Sequence, residues 1–559
     1  MRGWLPKSVL SLREYSLSRF VRDLVAGLTV GFVALPLAMA FAISSGVPPQ
    51  SGIYCAIVAG FLCSALGGSN TQISGPTGAF VVVVSGIVLE HGIEGLFVCT
   101  FLAGVILVLL GATGLGSAVK YLPRPVVVGF TNGIAVLIAS TQIKDFLGLK
   151  VEKVPGEFLG RMEALVGAAG TLSGVATLLA FGSLAVILLM RKFLPKVPGA
   201  IAVLFGATAL AFLLGLPVET IESRFGGIPQ GLPKVHVPPL SLLTPRSISQ
   251  LIAPAITIAI LGAIESLMSA VVADRMTRDR HNPNVELVAQ GVSNLASPLF
   301  GGLPATGAIA RTATNIRSGA QTPVAGMIHA LTLLAILLVA APLAGHVPLA
   351  ALAAILMMVA YNMGEWHEIP EILRLSKADV AVWAVTFGLT VFADLTVAVQ
   401  AGMILAALVF IRKVTNTTTV ALVDDAYLED ARDHALHLHQ IPAGVAVFRI
   451  NGPFMFGTTD KVAHIMDDIE SLPPVVVVRL RNMTAIDATG VQALEELFDR
   501  LTEMGKQVLF CGLRSQPEEL LRRSGFFRHV GEDNVCENVK QAMGRTRRIL
   551  KEHQPALGL

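Results

Sequence analysis

Apolar residues recur from Leu24 to about Ile411 in runs of roughly 15 to 22, each closed by a Gly or Pro turn or a short charged patch. A helix rises 1.5 Å per residue and the hydrocarbon core of a bilayer is about 30 Å thick, so such runs read as membrane-spanning helices. They fall near residues 24–43, 52–66, 76–92, 94–113, 124–143, 170–190, 198–216, 251–273, 285–300, 306–318, 323–343, 348–363, 379–395 and 397–412. That makes fourteen spans, of which 52–66, 285–300 and 306–318 barely reach or fall below crossing length; a stricter count gives about ten to twelve. After Lys413 the texture changes. "GVAVFRI", "PPVVVVRL" and "QVLFCG" read as buried strands, and "ATGVQALEELFDRLTEMG" and "PEELLRRSG" as amphipathic helices ending at Gly. Strands alternating with helices imply a small α/β domain, expected to be cytoplasmic. The chain thus divides into an N-tail (1–23), a transmembrane region (24–413) and an α/β region with its C-tail (414–559).

Composition strengthens the membrane reading. Charged residues make up 14% of the chain and the mean hydropathy is +0.67, against about 25% charged in soluble domains. A formal net charge of +3 gives no footprint for nucleic acid. Cys55, Cys63, Cys99, Cys511 and Cys536 show neither metal-ligand spacing nor a disulfide framework. The basic, mixed N-terminus lacks a secretory signature and reads as an uncleaved cytoplasmic tail. With fourteen spans, Arg191, Lys192 and Lys196, then Arg275, Arg278 and Arg280, then Arg412 and Lys413 all fall on the side of that tail, which places both termini in the cytoplasm. Lys144, Lys150 and Lys153 fall outside, so the rule holds on balance.

Two stretches echo one another in a seven-plus-seven arrangement. "LGGSNTQISGPTGAF" (66–80) precedes the third span and "FGGLPATGAIARTAT" (300–314) the tenth; each has Gly-Gly, a polar stretch, Pro, then Thr-Gly-Ala opening a short helix. Paired, interrupted segments at matching places in two halves point to a transporter's binding site. The first N–H groups of a helix lack partners and its dipole puts about half a positive charge there, so two facing helix starts attract an anion. Gly75, Gly78 and Gly307 allow close approach to the backbone, and Pro76 and Pro304 suit a first turn. Arg311 adds a permanent charge one turn in. Such a charge costs at least about 2.5 kcal/mol at mid-bilayer and therefore faces a cavity or a partner. Arg317, nearer the helix end, reads as an interfacial anchor. In "AILGAIESLMSAVVADRMT", Glu265 is an acid in the apolar body of the eighth span: a candidate to carry a coupling proton, with Ser269 at i+4 on the same face. A structural Glu265–Arg311 ion pair is the plainer alternative. Asp394 reads as a cap or turn between spans.

"DLVAGLTVGFVALPLAMAFAISSGVPPQSGIY", "ISGPTGAF", "ADRMTRDRHNPNVELVAQGVSNLASPLFGGLPATGAIARTATNIRSGAQTPVAG" and the final "IDATG" together resemble the sulfate permease (SulP) family of anion transporters, over essentially the whole chain. The resemblance implies an inverted repeat split into a core domain (spans 1–4 and 8–11) and a gate domain (5–7 and 12–14), with elevator-like transport. It also implies an anion held between the starts of spans 3 and 10 near span 1, which assigns substrate contacts to Phe41, Thr77, Gly78, Ala79, Ala310 and Arg311. Leu37 departs from the Gln that many relatives carry after the proline, so substrate identity does not transfer from them. Glu265 stands where a sodium-coupled bicarbonate branch has Asp and other bacterial members have Glu, which favours protons over sodium. Bacterial members that move C4-dicarboxylates are nearest in feel, with sulfate and bicarbonate open. The terminal region resembles the STAS domain shared with anti-sigma-factor antagonists, and Thr489 stands where those carry a phosphorylatable Ser. A helix cap at Asp487 or Thr489 explains the same residues, and regulation or contact with a cytoplasmic partner is the expected role.

The reading is therefore a polytopic helical membrane protein with a STAS domain: a secondary active anion transporter, proton-coupled, homodimeric like its relatives, in a bacterial inner membrane. A nucleobase transporter would lack the terminal domain and need Arg311 less. An anion-sensing scaffold is the alternative from another class. No GxxxxGK[ST] loop supports a primary pump and no nucleophile with its base supports an enzyme; no cofactor or metal is implied.

Overall fold

The computed structural model describes residues 4–12, 15–116, 123–151, 154–194, 198–235, 244–393, 395–422, 441–459, 461–462 and 471–553. Lys153, Lys196 and Asp394, singled out above, lie outside the described residues. The chain forms two compact units, 1–404 and 405–559.

In the first unit the helices run α1 (Lys7–Leu12), α2 (Leu17–Ser44), α3 (Pro49–Leu66), α4 (Phe80–Ala112), α5 (Arg124–Leu147), α6 (Phe158–Gly167), α7 (Gly174–Phe193), α8 (Gly199–Leu213), α9 (Ile221–Phe225), α10 (Pro245–Thr277), α11 (Pro283–Leu299), α12 (Ile309–Arg317), α13 (Val324–Gly345), α14 (Leu349–Met363), α15 (Ile369–Leu373) and α16 (Lys377–Phe392). Helix α17 (Leu395–Thr417) carries the chain out of it. Each of the fourteen expected segments falls on one of these helices, consistent with that count. Among the described residues, eight helices are long and apolar enough to cross a membrane. The third and fourth expected spans are one element: α4 runs through Gly92, where φ is +71° and ψ −179°, a conformation only glycine adopts without strain. Two spans meet there with almost no loop.

The faces turned away from the protein keep Leu178, Phe212, Leu213 and Val339 exposed, as surfaces solvated by lipid would. Two packing groups emerge. Helices α2, α3, α4, α10, α11, α12 and α13 pack among themselves, as α5, α7, α8, α14 and α16 do. In the first group, two short strands, β1 (Ser74–Gly75) and β2 (Thr306–Gly307), pair antiparallel, Ser74 opposite Gly307 and Gly75 opposite Thr306. The echoing motifs are therefore not merely similar; they meet.

Charged residues at the ends of this unit are paired. Lys7 Nζ lies 3.0 Å from Asp279, so the N-tail sits against the loop after α10. Asp23, wholly buried, accepts hydrogen bonds from the N–H groups of Gln321 (2.8 Å) and Thr322 (3.2 Å), the Thr322 hydroxyl (2.5 Å) and the Tyr15 hydroxyl (3.2 Å). It ties the start of α2 to the turn before α13. Burial, then the Asp23 charge, push the Tyr15 phenol up to about 12.

The second unit holds β3 (Thr419–Leu422), β4 (Val445–Phe454), β5 (Val475–Ile486), β6 (Gln507–Cys511) and β7 (Val535–Cys536) in one sheet of that order. Strand β3 is antiparallel to β4 and the remaining neighbours are parallel. Val475 to Val478 are buried on both faces, which is why this run shows no alternation. One face packs Val476, Val478 and Phe510 against α18 (Ala488–Glu503), α19 (Ser515–Ser524) and α20 (Phe526–Val530); the other packs Val477 and Leu509 against α21 (Val539–His553). Helix α18 is capped by Asp487, whose Oδ1 accepts the Gly490 N–H at 2.9 Å, while Thr489 is exposed.

Replacing Asp23 by Ala strands the buried N–H and hydroxyl of Thr322 and removes the acceptor of the part-buried Gln321 N–H. We expect a loss of roughly 3 kcal/mol of stability, read as a lowered unfolding temperature of purified Asp23→Ala protein in detergent.

Candidate functional site

The two unwound stretches at 67–79 and 300–308 end in helix starts. Ahead of α4, the chain turns at Thr77 and Gly78, with Phe80 N–H reaching the Thr77 carbonyl (3.2 Å) and Val81 N–H that of Gly78 (3.1 Å). Ala308 N–H pairs with the Ile73 carbonyl (2.8 Å), and α12 begins at Ile309 with no side chain capping it. The expectation that this helix opens near Thr306 is corrected by three residues, because Thr306 and Gly307 are used as strand. By position, the first amides of α12 precede any intrahelical bond and remain available to an anion.

Arg311, 2% exposed, reaches back across the strand pair. One guanidinium nitrogen, Nη2, donates to the Pro76 carbonyl at the approach to α4; the other, Nη1, is buried without a partner. Gly75 explains how the guanidinium fits: its φ is +153°, and a Cβ there would stand 2.8 Å from Nη1. Phe41, from α2, closes the site beside Gly78, where a Cβ would lie 3.2 Å from the ring edge. Ala79 is fully buried at the helix start, whereas Ala310 is exposed. Arg317 is exposed at the far end of α12.

Glu265 is half-buried on α10 and accepts the Thr77 hydroxyl at 3.0 Å. It forms no ion pair with Arg311; the acid from α10 and the cation from α12 both reach the approach to α4, at Thr77 and Pro76. Ser269 does not join Glu265. Its hydroxyl donates to Thr312 (3.1 Å), which also accepts the Ile73 N–H (3.0 Å). Thr489 lies in the second unit.

Several buried polar residues around the strand pair were not singled out from sequence. Ser266 accepts the Gly307 N–H (2.9 Å) and contacts the Thr306 hydroxyl (3.0 Å), which in turn lies 3.0 Å from the Gly262 carbonyl. On α11, Glu286, Gln290, Asn294 and Ser297 are all buried. Their spacing was a usable signal: steps of four, four and three in an apolar helix put polar groups on one face.

Residues 20–386, more than half of the chain, match the family described as Sulfate permease family. The chain belongs to that family. Residues 439–542 match the STAS domain, so this sulfate permease family member combines a multi-pass membrane region with a STAS domain. YvdB of Bacillus subtilis is 41% identical over 535 residues, covering 95% of this chain and 99% of its own. The bicarbonate transporter BicA of Picosynechococcus is 31% identical over 540 residues, covering 93% and 94%. The transmembrane domain of a cyanobacterial BicA superposes with a TM-score of 0.62 at 32% identity, over 70% of this chain and 98% of that one. The murine anion transporter Slc26a9, in its inward-facing state, gives a TM-score of 0.84 over 98% of this chain and 94% of its own; at 19% identity it speaks for the fold alone. The relatives are transporters, and nothing in their names is enzymatic.

Thr312 serves two donors at once, so Thr312→Val strands the buried N–H of Ile73 and the hydroxyl of Ser269 in this family member. The expected cost is about 2 kcal/mol, measured by thermal unfolding, with Thr312→Ser near wild type because its hydroxyl is retained.

Proposed function

We propose that the protein is a secondary active transporter of small oxyanions, sulfate or bicarbonate, with the anion seated between the starts of α4 and α12. One observation carries this reading: a buried guanidinium nitrogen, Arg311 Nη1, has no partner and lies against Gly75 beside the helix starts. A permanently charged donor left unsatisfied at membrane depth is costly unless something anionic completes it. Phe41, Thr77, Gly78, Ala79, Ala310 and Arg311 form the binding set. Phe41 and the small residues limit its size, and the amides and Arg311 supply donors. The names of the relatives move the expectation from C4-dicarboxylates towards sulfate and bicarbonate.

The coupling ion is a proton carried by Glu265. Its bond to Thr77 links a titratable group to a residue of the anion set, so protonation at Glu265 changes what Thr77 offers the anion. Sodium is the second reading. The Thr77 hydroxyl and the carboxylate are two oxygens 3.0 Å apart, of the kind a hard cation takes.

The two packing groups support a core (spans 1–4 and 8–11) that carries the site and moves in an elevator-like manner against a gate (5–7 and 12–14), within a transport domain at 24–413 built as a seven-plus-seven inverted repeat. The Lys7–Asp279 contact sets the N-tail on the face of the α10–α11 loop, which is rich in Arg. This supports cytoplasmic termini in a bacterial inner membrane. The STAS domain at 414–559 and its exposed Thr489 are the place for a regulator or a phosphate, and the assembly is a homodimer.

The test is uptake by purified, reconstituted protein of labelled sulfate, bicarbonate, succinate and fumarate, with and without proton or sodium gradients. Arg311→Ala is expected to lower anion affinity about a hundredfold, the loss of one or two charge-assisted hydrogen bonds, while leaving the protein folded; wild-type uptake by this variant refutes the assignment. Glu265→Gln is expected to transport without dependence on the pH gradient. A retained dependence would move the proton site away from Glu265.

A further inference from the structure

The polar side chains of α11 bond the two stretches that build the anion set. One face is pressed against the second half of α4 by glycines: a Cβ at Gly104 would stand 2.9 Å from the Gly291 carbonyl, and one at Gly291 2.6 Å from the backbone nitrogen of Val108. The two helices are in backbone contact over this stretch. On another face, Glu286, Gln290, Asn294 and Ser297, each no more than 1% exposed, turn towards irregular chain.

Glu286 Oε2 accepts the Gly68 N–H at 2.9 Å, and Gln290 Nε2 reaches the Ser74 hydroxyl at 2.5 Å. These hold the stretch leading to α4. The Asn294 amide then pairs with a single residue of the other stretch, accepting the Ala305 N–H at 2.8 Å and donating to the Ala305 carbonyl at 2.9 Å. Ser297 donates to the Leu303 carbonyl at 2.6 Å. Ala305 is next to Thr306, so the Asn294 side chain fixes backbone immediately before β2, much as a neighbouring strand would.

We propose that α11 is the frame on which the anion site is assembled, with Asn294 and Gln290 as positioning residues that set the spacing of the two helix starts. The proposal rests on the anion-transport reading above. The donors of the site sit on two separate stretches, and the β1–β2 pair alone, two residues long, is too short to define their register. Gln290 fixes Ser74 and Asn294 fixes Ala305, and because both side chains leave one rigid helix, the distance between those two points is fixed as well. Truncating Asn294 leaves the Ala305 N–H and carbonyl unpaired and removes the α11 side of the bonds that hold β2, so that its position rests on β1, Ser266 and Gly262, and the amides of α12 and Arg311 shift relative to α4.

The test compares uptake kinetics of reconstituted wild type, Asn294→Ala, Asn294→Ser, Ser293→Ala and Arg311→Ala, with sulfate and bicarbonate as probes. Ser293 is the control: it is as buried as Asn294 on the same helix, but its hydroxyl bonds only the Ala289 carbonyl of α11 itself. The expected result is a KM raised about tenfold in Asn294→Ala, a smaller rise in Asn294→Ser, little change in the maximal rate, and wild-type kinetics in Ser293→Ala. A wild-type KM in both Asn294 variants overturns the proposal, as does an equal rise in Ser293→Ala. Asn294→Ser keeps the measurement readable where the alanine variant does not fold. Failure of the transport reading is seen separately, as no uptake by wild type or full uptake by Arg311→Ala.

Discussion

The constraint on which this structure depends is that peptide groups inside a bilayer must find partners within the protein. Helices meet it without help, but the two interrupted stretches at 67–79 and 300–308 do not. Their N–H and carbonyl groups are taken up by the β1–β2 pair, by Ser266 and Thr312 on one side and by the face of α11 on the other. The residues around the site are polar for this reason first. What they leave over is one nitrogen of Arg311, buried without a partner.

Much of this was legible in the sequence because membrane constraints write themselves in long runs. Fourteen apolar segments, the twin Gly-Gly and Thr-Gly-Ala motifs, and the isolated charges Arg311 and Glu265 each stand out against an apolar background. The α/β unit was equally legible: buried parallel strands such as Val475–Val478 are unbroken apolar runs, and Gly ends its helices. What escaped follows from physics that a linear pattern does not carry. Helix α12 starts later than its residues suggest, since pairing across the molecule converts Thr306 and Gly307 into strand. Ser269 shares a helix face with Glu265 by spacing, yet Thr312 on another helix decides where its hydroxyl points. The polar face of α11 was visible as spacing, but its purpose was not, because the Gly68 N–H and the Ser74 hydroxyl that it meets lie more than 200 residues away in sequence and leave no trace beside it.

Glu265 and Arg311 divide the site between two origins. The carboxylate comes from α10 and meets the start of α4 through Thr77; the guanidinium comes from α12 and meets the same start through Pro76. Both charges therefore act on the approach to α4, although neither belongs to it. A direct ion pair would have cancelled them; held apart, each keeps its own partner on that approach.

The backbone contact between α4 and α11 has a mechanical consequence. A Cβ added at Gly104 or Gly291 would meet backbone of the facing helix, so enlarging either residue pushes the two helices apart and draws the polar face of α11 away from the stretches it holds, although no charged residue is altered.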